Sequence, residues 1–196
     1  MKANIAIILL AACLAGPAIA AKKTAEPAPW TQEPDSFMGV KMSSNVIYDL
    51  TQCPSGVLNS QQATMCYKPP YKDLYMIEGL PKIGLDYFYS LSVKVRDRAV
   101  EYFYLSANTR DFEKLSQVFI AKYGQPGSKV ITPVKTKAGA SFSNETLTWS
   151  GRKVRIVVQR YADDINTSSA TISNIEATAK AVGDIKTSIN QGASKL

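Results

Sequence analysis

The 196-residue chain contains no histidine. That excludes Ser-His-Asp and Cys-His nucleophile arrangements and removes the commonest general base near neutral pH. It also has no Gly-x-Ser-x-Gly elbow, glycine-rich phosphate loop or His-Glu-x-x-His. Adjacent acids occur once, at Asp163-Asp164, in a stretch that reads as a solvated turn after a strand. A glycosidase needs two acids flanking a cleft, and this pair reads as neither. A calcium loop opening at Asp164 needs glycine at its sixth residue and glutamate at its twelfth, where Ser169 and Ile175 stand. The expectation is a protein that is not an enzyme, with no cofactor and no metal site.

Long apolar runs are absent too. Ile5–Leu14 is the longest, short of the roughly 20 residues that span a bilayer. It follows Lys2, is broken by Gly16-Pro17, and precedes the small-x-small pattern Ala18-Ile19-Ala20. These are the parts of a secretory signal peptide over residues 1–20, which implies a periplasmic protein with no transmembrane segment in its mature chain. Leu10-Ala11-Ala12-Cys13 also fits a lipobox, which leaves a lipoprotein anchored at Cys13 as the alternative.

Cysteine is scarce: Cys13, Cys53 and Cys66. In an oxidising compartment, with Cys13 removed, one pairing remains, Cys53 with Cys66. Their spacing is not Cys-x-x-Cys, and the mature chain has no further Cys or His to complete a zinc site. The expectation is a disulfide that closes a polar loop and stabilises by about 3 kcal/mol in the chain-entropy model.

Acid is thin in one region. From Gln125 to Arg160 the basic residues Lys129, Lys135, Lys137, Arg152, Lys153, Arg155 and Arg160 face a single acid, Glu145. The whole chain carries a formal charge of +7. Such a stretch suits an anionic partner, although solvated faces often look the same. Arg152, Lys153, Arg155 and Arg160 are the candidate anion-binding residues, and Trp149 is the candidate aromatic contact. The competing reading puts Trp149 in the core.

Residues 21–36 carry Pro27, Pro29 and Pro34 with few aliphatic side chains and read as an extended leader, not a packed element. Residues 37–42 suggest a first strand, and a short strand is expected at Leu74–Glu78. Alternation over 85–95 puts Leu85, Tyr87, Tyr89, Leu91, Val93 and Val95 on one face. After "RDRA", residues 100–107 resume with Val100, Tyr102 and Tyr104 on one side and Phe103 and Leu105 on the other, making a hairpin. Asn108 is a fitting N-cap, with Asp111 in the first turn. Phe112, Leu115, Phe119, Ile120 and Tyr123 then form a helical stripe ended by Gly124 and Pro126. A strand at 129–134 and a second hairpin, 146–150 and 153–161, follow, with Val154, Ile156 and Val158 facing inward. "ATISNI" closes the sheet. Residues 176–196 read as an amphipathic helix with Ile175, Ala179, Val182, Ile185 and Ile189 near one face.

The fold class expected is α+β: a single domain over 37–175 with an antiparallel β-sheet packed against one main helix, a C-terminal helix and one disulfide-closed loop. Lys122, Tyr123, Gly124, Pro126, Trp149 and Gly151 give a helix ending Lys-Tyr-Gly-x-Pro and a later Trp-x-Gly hairpin. In this the chain resembles a group of small secreted proteobacterial α+β proteins over roughly residues 37–173. The resemblance implies export and supplies no catalytic residue.

The functional expectation is a non-catalytic periplasmic binding protein whose partner is another envelope protein, as an inhibitor or immunity protein has. The alternative is a basic sheet face that holds lipopolysaccharide, anionic lipid or peptidoglycan. Nucleic acid is not an expected partner in that compartment.

Overall fold

A computed structural model describes residues 30–56, 64–137 and 139–196. The expected signal peptide, the alternative lipobox and most of the expected prolyl leader lie outside the described residues. So do positions 57–63, within the disulfide loop.

The chain opens with β1 (Ser36–Phe37) and β2 (Val40–Lys41), which pair antiparallel. The single strand expected at 37–42 is therefore a tight hairpin, turned by Met38 and Gly39 at positive φ. A short helix, α1 (Val46–Asp49), follows, then β3 (Thr51–Gln52), β4 (Cys66–Tyr67) and β5 (Leu74–Glu78). β6 (Ser90–Arg96) and β7 (Ala99–Asn108) form the first long hairpin. A 3-10 turn at Thr109–Asp111 leads into α2 (Phe112–Tyr123). β8 (Ser128–Lys135), β9 (Ser141–Ser150), β10 (Val154–Gln159) and β11 (Thr167–Asn174) come next, and α3 (Ile175–Ala193) ends the chain.

Nine strands form one sheet in the order β3-β4-β5-β6-β7-β11-β10-β9-β8. The long connection through α2 carries the chain from β7 to the far edge, and β8 to β11 meander back until β11 pairs with β7. The sheet is mixed, not wholly antiparallel as the sequence suggested, because β3 and β4 run parallel. It also makes up most of the molecule. Helix periodicity identified α2 correctly, but nine strands outweigh three helices.

Alternation explains the core. Leu91, Val93, Phe103, Leu105, Ile156, Val158, Ile172, Leu147 and Trp149 are all buried. Against this face α2 lays Phe112, Leu115, Phe119 and Tyr123. Phe37 bridges the layers, 5.3 Å from the Phe103 ring and 6.2 Å from Phe119. Burying one such side chain is worth about 1.5–3 kcal/mol.

Val100 joins Phe103 and Leu105 on the core face, where strict alternation from the sequence set it apart. A bulge is the reason: Lys94 pairs with Tyr102, then Val95 pairs with Val100, so Glu101 is an extra residue. Arg96 Nε donates to Glu101 Oε2 at 2.9 Å. Asp97 and Arg98, both at positive φ, make the two-residue turn.

The leader's last residues are packed, against the sequence expectation. Trp30 Nε1 donates to the Tyr123 carbonyl at 2.8 Å, and Trp149 Nε1 donates to the Gly124 carbonyl at 2.9 Å. Two indoles thus satisfy carbonyls that the end of α2 leaves without helical partners. Glu33 accepts the backbone N–H groups of Arg152 (3.1 Å), Lys153 (2.6 Å) and Val154 (2.7 Å) at the β9–β10 turn. Desolvation, the largest influence, pushes this carboxyl up. The three N–H donors and the Lys153 charge outweigh it and hold the group below the ordinary glutamate range. The carboxylate occupies the space a Cβ on Gly151 would need, so a larger residue there displaces the Glu33 side chain.

Candidate interaction site

The sequence candidates do not converge. Trp149 is 1% exposed, so it is a core residue and cannot stack on a ligand. The Arg160 guanidinium lies 4.1 Å from the Phe112 ring centre, 2.8 Å from Glu113 and 3.8 Å from Glu145. Lys129 also pairs with Glu145, at 2.8 Å. Arg152 and Lys153 lie in the β9–β10 turn, where their backbone amides hold Glu33. Arg155 lies on the sheet face opposite α2. Lys135 and Lys137 lie at the β8–β9 tip, the length of β9 away from that turn, roughly 34 Å at strand spacing. The run of bases in sequence is therefore spread over both ends of the sheet.

A different site does assemble, at the end of the sheet where α2 begins. The β5–β6 connection, Gly79–Tyr89, is an eleven-residue loop with Gly79 and Gly84 at positive φ. Sequence alternation starts a strand at Leu85, inside this loop. The strand starts only at Ser90, because the chain turns to meet Asp111. That aspartate is 1% exposed, and its carboxylate accepts the backbone N–H groups of Asp86 at 3.0 Å and Tyr87 at 2.9 Å. Its position in the first turn suggests a helix-starting acid, but it makes no capping bond to α2. Asn108 does cap, accepting from Arg110 N at 3.0 Å.

Further contacts fix the loop. Lys114 pairs with Asp86, and Arg110 Nη1 donates to the Tyr87 hydroxyl at 3.1 Å. The Tyr89 hydroxyl donates to the Pro81 carbonyl. Burial pushes the Tyr89 phenol up to about 12, so it stays a neutral donor.

What this framework holds is apolar. Phe88 is 100% exposed, and Tyr87 is also exposed. Behind them Leu80, Pro81, Ile83 and Leu85 line a cleft of about 770 Å³. Side chains this apolar on a monomer surface mark contact sites when they are ordered and clustered. The signal in the sequence was "GLPKIGLDYFY", whose glycines and proline break the alternation.

The Cys53–Cys66 disulfide forms, with Cα atoms 5.0 Å apart. Cys66 pairs with Glu78, the residue before the loop, so the staple braces the same end of the sheet. Among the described residues no helix is long and apolar enough to cross a membrane, and no cluster of His, Cys, Asp and Glu could hold a metal ion. Comparison with protein-family models, with curated proteins and with solved structures finds no match for this chain.

Proposed function

We propose that this chain is an exported, non-catalytic binding protein of the cell envelope that acts by gripping another protein, and that the Gly79–Tyr89 loop is its gripping surface. One observation carries the reading. Phe88 is wholly exposed at the head of a loop pinned by the buried Asp111 carboxylate. Anchors that dominate protein interfaces are aromatic, central and already ordered, and pre-ordering lowers the entropy lost on association. Inhibition of, or immunity to, an envelope-targeting enzyme suits such a surface. The absence of histidine from the sequence supports a role without turnover.

The test is capture on the immobilised oxidised protein, from Lys22 onward, with a solubilised envelope extract and rising salt. One protein is expected to be retained stoichiometrically at high salt by the wild type and lost by Phe88→Ser, with the unfolding temperature unchanged. Equal retention by both proteins overturns the loop assignment. Release of lipopolysaccharide or cell-wall fragments at modest salt, where charges are screened over about 8 Å, favours the basic-face alternative instead.

A further inference from the structure

We infer that the outer edge of β8 is a docking edge for an extended, acid-bearing segment of a partner protein, which adds there as a tenth strand. The argument begins with register. β8 and β9 pair without a break from Ser128↔Thr148 to Lys135↔Ser141. Beyond them Thr136 N donates to the Ala140 carbonyl at 2.9 Å, in the same register. In an antiparallel ladder the residues whose N–H and C=O both point at the neighbour alternate with residues that point both away. Ser128, Val130, Thr132 and Val134 therefore bond to β9, and Lys129, Ile131, Pro133 and Lys135 aim their backbone outward.

The other side of the ladder agrees. Gly151 N donates to Val154 O, and Arg160 N donates to Glu145 O. This turns the odd-numbered residues of β9 toward β10 and leaves its even-numbered residues for β8. Pro133 falls on an outward position, where it costs the ladder no hydrogen bond.

β8 ends the strand order among the described residues, and only Val134 in it is even half-buried. Edge strands are usually guarded by lysine and proline. Here the guard is partial. Pro133 deletes one outward donor and leaves the N–H groups of Lys129, Ile131 and Lys135 and four outward carbonyls. Val130 and Ile131 are 48% and 59% exposed, on opposite faces. Strand addition takes its affinity from such main-chain groups and its selectivity from alternate side chains.

The side chains describe the occupant. From Gln125 to Asn144 the chain has Lys129, Lys135 and Lys137 and no acid; Lys129 also reaches Glu145 of β9, so Lys135 carries more of the charge that a partner meets. A second β8 would set lysine against lysine, which disfavours a copy of this chain. A partner strand with acids opposite Lys129 and Lys135 and β-branched residues between them matches both charge and pleat.

This site goes beyond the Phe88 reading. β8 is five strand positions from β6, roughly 24 Å, and its test does not use the loop's partner. The probe is the end-blocked peptide Glu-Val-Val-Thr-Ile-Val-Glu, with its charge-reversed Lys version as control, read by amide exchange of the whole mature protein. With the acidic peptide, the amides of Lys129, Ile131 and Lys135 are expected to become protected, while those of Val130, Thr132 and Val134 stay as slow as before. Ile131→Pro, which removes an outward donor without touching the β9 ladder, is expected to weaken binding by about tenfold or more, that is, to lose one or more well-made hydrogen bonds. Lys135→Glu, which sets an acid against one of the peptide's own, is expected to abolish the preference for the acidic peptide, and a preference that survives it overturns the inference should Ile131→Pro fold poorly. No protection at millimolar acidic peptide, or equal protection by both peptides, overturns the inference.

Discussion

Replacing Glu33 tests the packing of the N-terminal strap, because one carboxylate there receives three backbone donors. A hydrogen bond to a charged group contributes about 1.5–3 kcal/mol. The site is half-exposed, however, so water replaces part of what is lost, and a helix N-cap, worth about 0.5–2 kcal/mol, is the closer comparison. For Glu33→Ala we expect a loss of about 2 kcal/mol, close to 4–8 °C in unfolding temperature for a chain of this length. Urea unfolding followed by tryptophan fluorescence should show a midpoint lower by about 1 M, for a slope near 2 kcal/mol per molar.

Glu33→Gln separates charge from geometry. Oε1 takes Lys153 and Val154, and Oε2 takes Arg152. A glutamine keeps the first two bonds and turns an amino group toward Arg152 N, so about half the loss is expected. The pH dependence has a definite sign. The folded-state carboxyl titrates below its ordinary range, so its contribution is complete above that range and disappears as pH falls through the folded value. The gap between wild type and Glu33→Ala should therefore close in acid. No gap at neutral pH, or one that persists undiminished in strong acid, refutes the reasoning. Gly151→Ala puts a methyl where the carboxylate sits. It should destabilise the wild type yet add little to Glu33→Ala in a double-mutant cycle.

The remaining expectations follow from other packing features. Reducing the Cys53–Cys66 bond, or replacing both cysteines by alanine, should cost about 3 kcal/mol in calorimetry or denaturant unfolding. Asp111→Ala leaves the Asp86 and Tyr87 amides without their acceptor. It should cost about 1–3 kcal/mol and speed amide exchange across 79–89, whereas Phe88→Ser should change stability by less than about 0.5 kcal/mol. Trp149→Phe should cost about 1–3 kcal/mol, since it opens space beside Phe119 and orphans the Gly124 carbonyl. In α3, Val182, Ile185 and Ile189 are 61%, 55% and 64% exposed. Replacing the three by serine should leave the thermal midpoint of the folded domain nearly unchanged.

Much of this architecture was legible in one dimension. The stripe Phe112, Leu115, Phe119, Tyr123 ending at Gly124 specifies α2, because a period near four with a glycine stop has one compact solution. Period-two alternation likewise located the cores of β6 and β7 and the β9–β10 hairpin, and the two cysteines beyond residue 20 admit one pairing. What alternation could not see was where a strand stops. It ran through Tyr87 and Tyr89 because their spacing fits a strand. The chain leaves the sheet there to reach Asp111, 24 residues beyond Tyr87. Likewise the inserted Glu101 is invisible until Arg96 and the register of β6 are in place.

Charge was misleading for the same reason. Seven bases close in sequence look like a patch, but a meander sends β8, β9 and β10 in alternate directions, so their neighbours land at opposite ends of the sheet. Two of the seven, Lys129 and Arg160, meet carboxylates there, Arg160 finding Glu113 from another element. Composition and local period thus determined the classes of element, the staple and the lack of histidine chemistry. Only tertiary contact decided which aromatic residue is core, as Trp149 is, and which is surface, as Phe88 is. Burial depends on what the rest of the chain brings to a residue: Phe119 of α2 packs on Trp149, and Asp111 draws the loop that carries Phe88 away from the sheet.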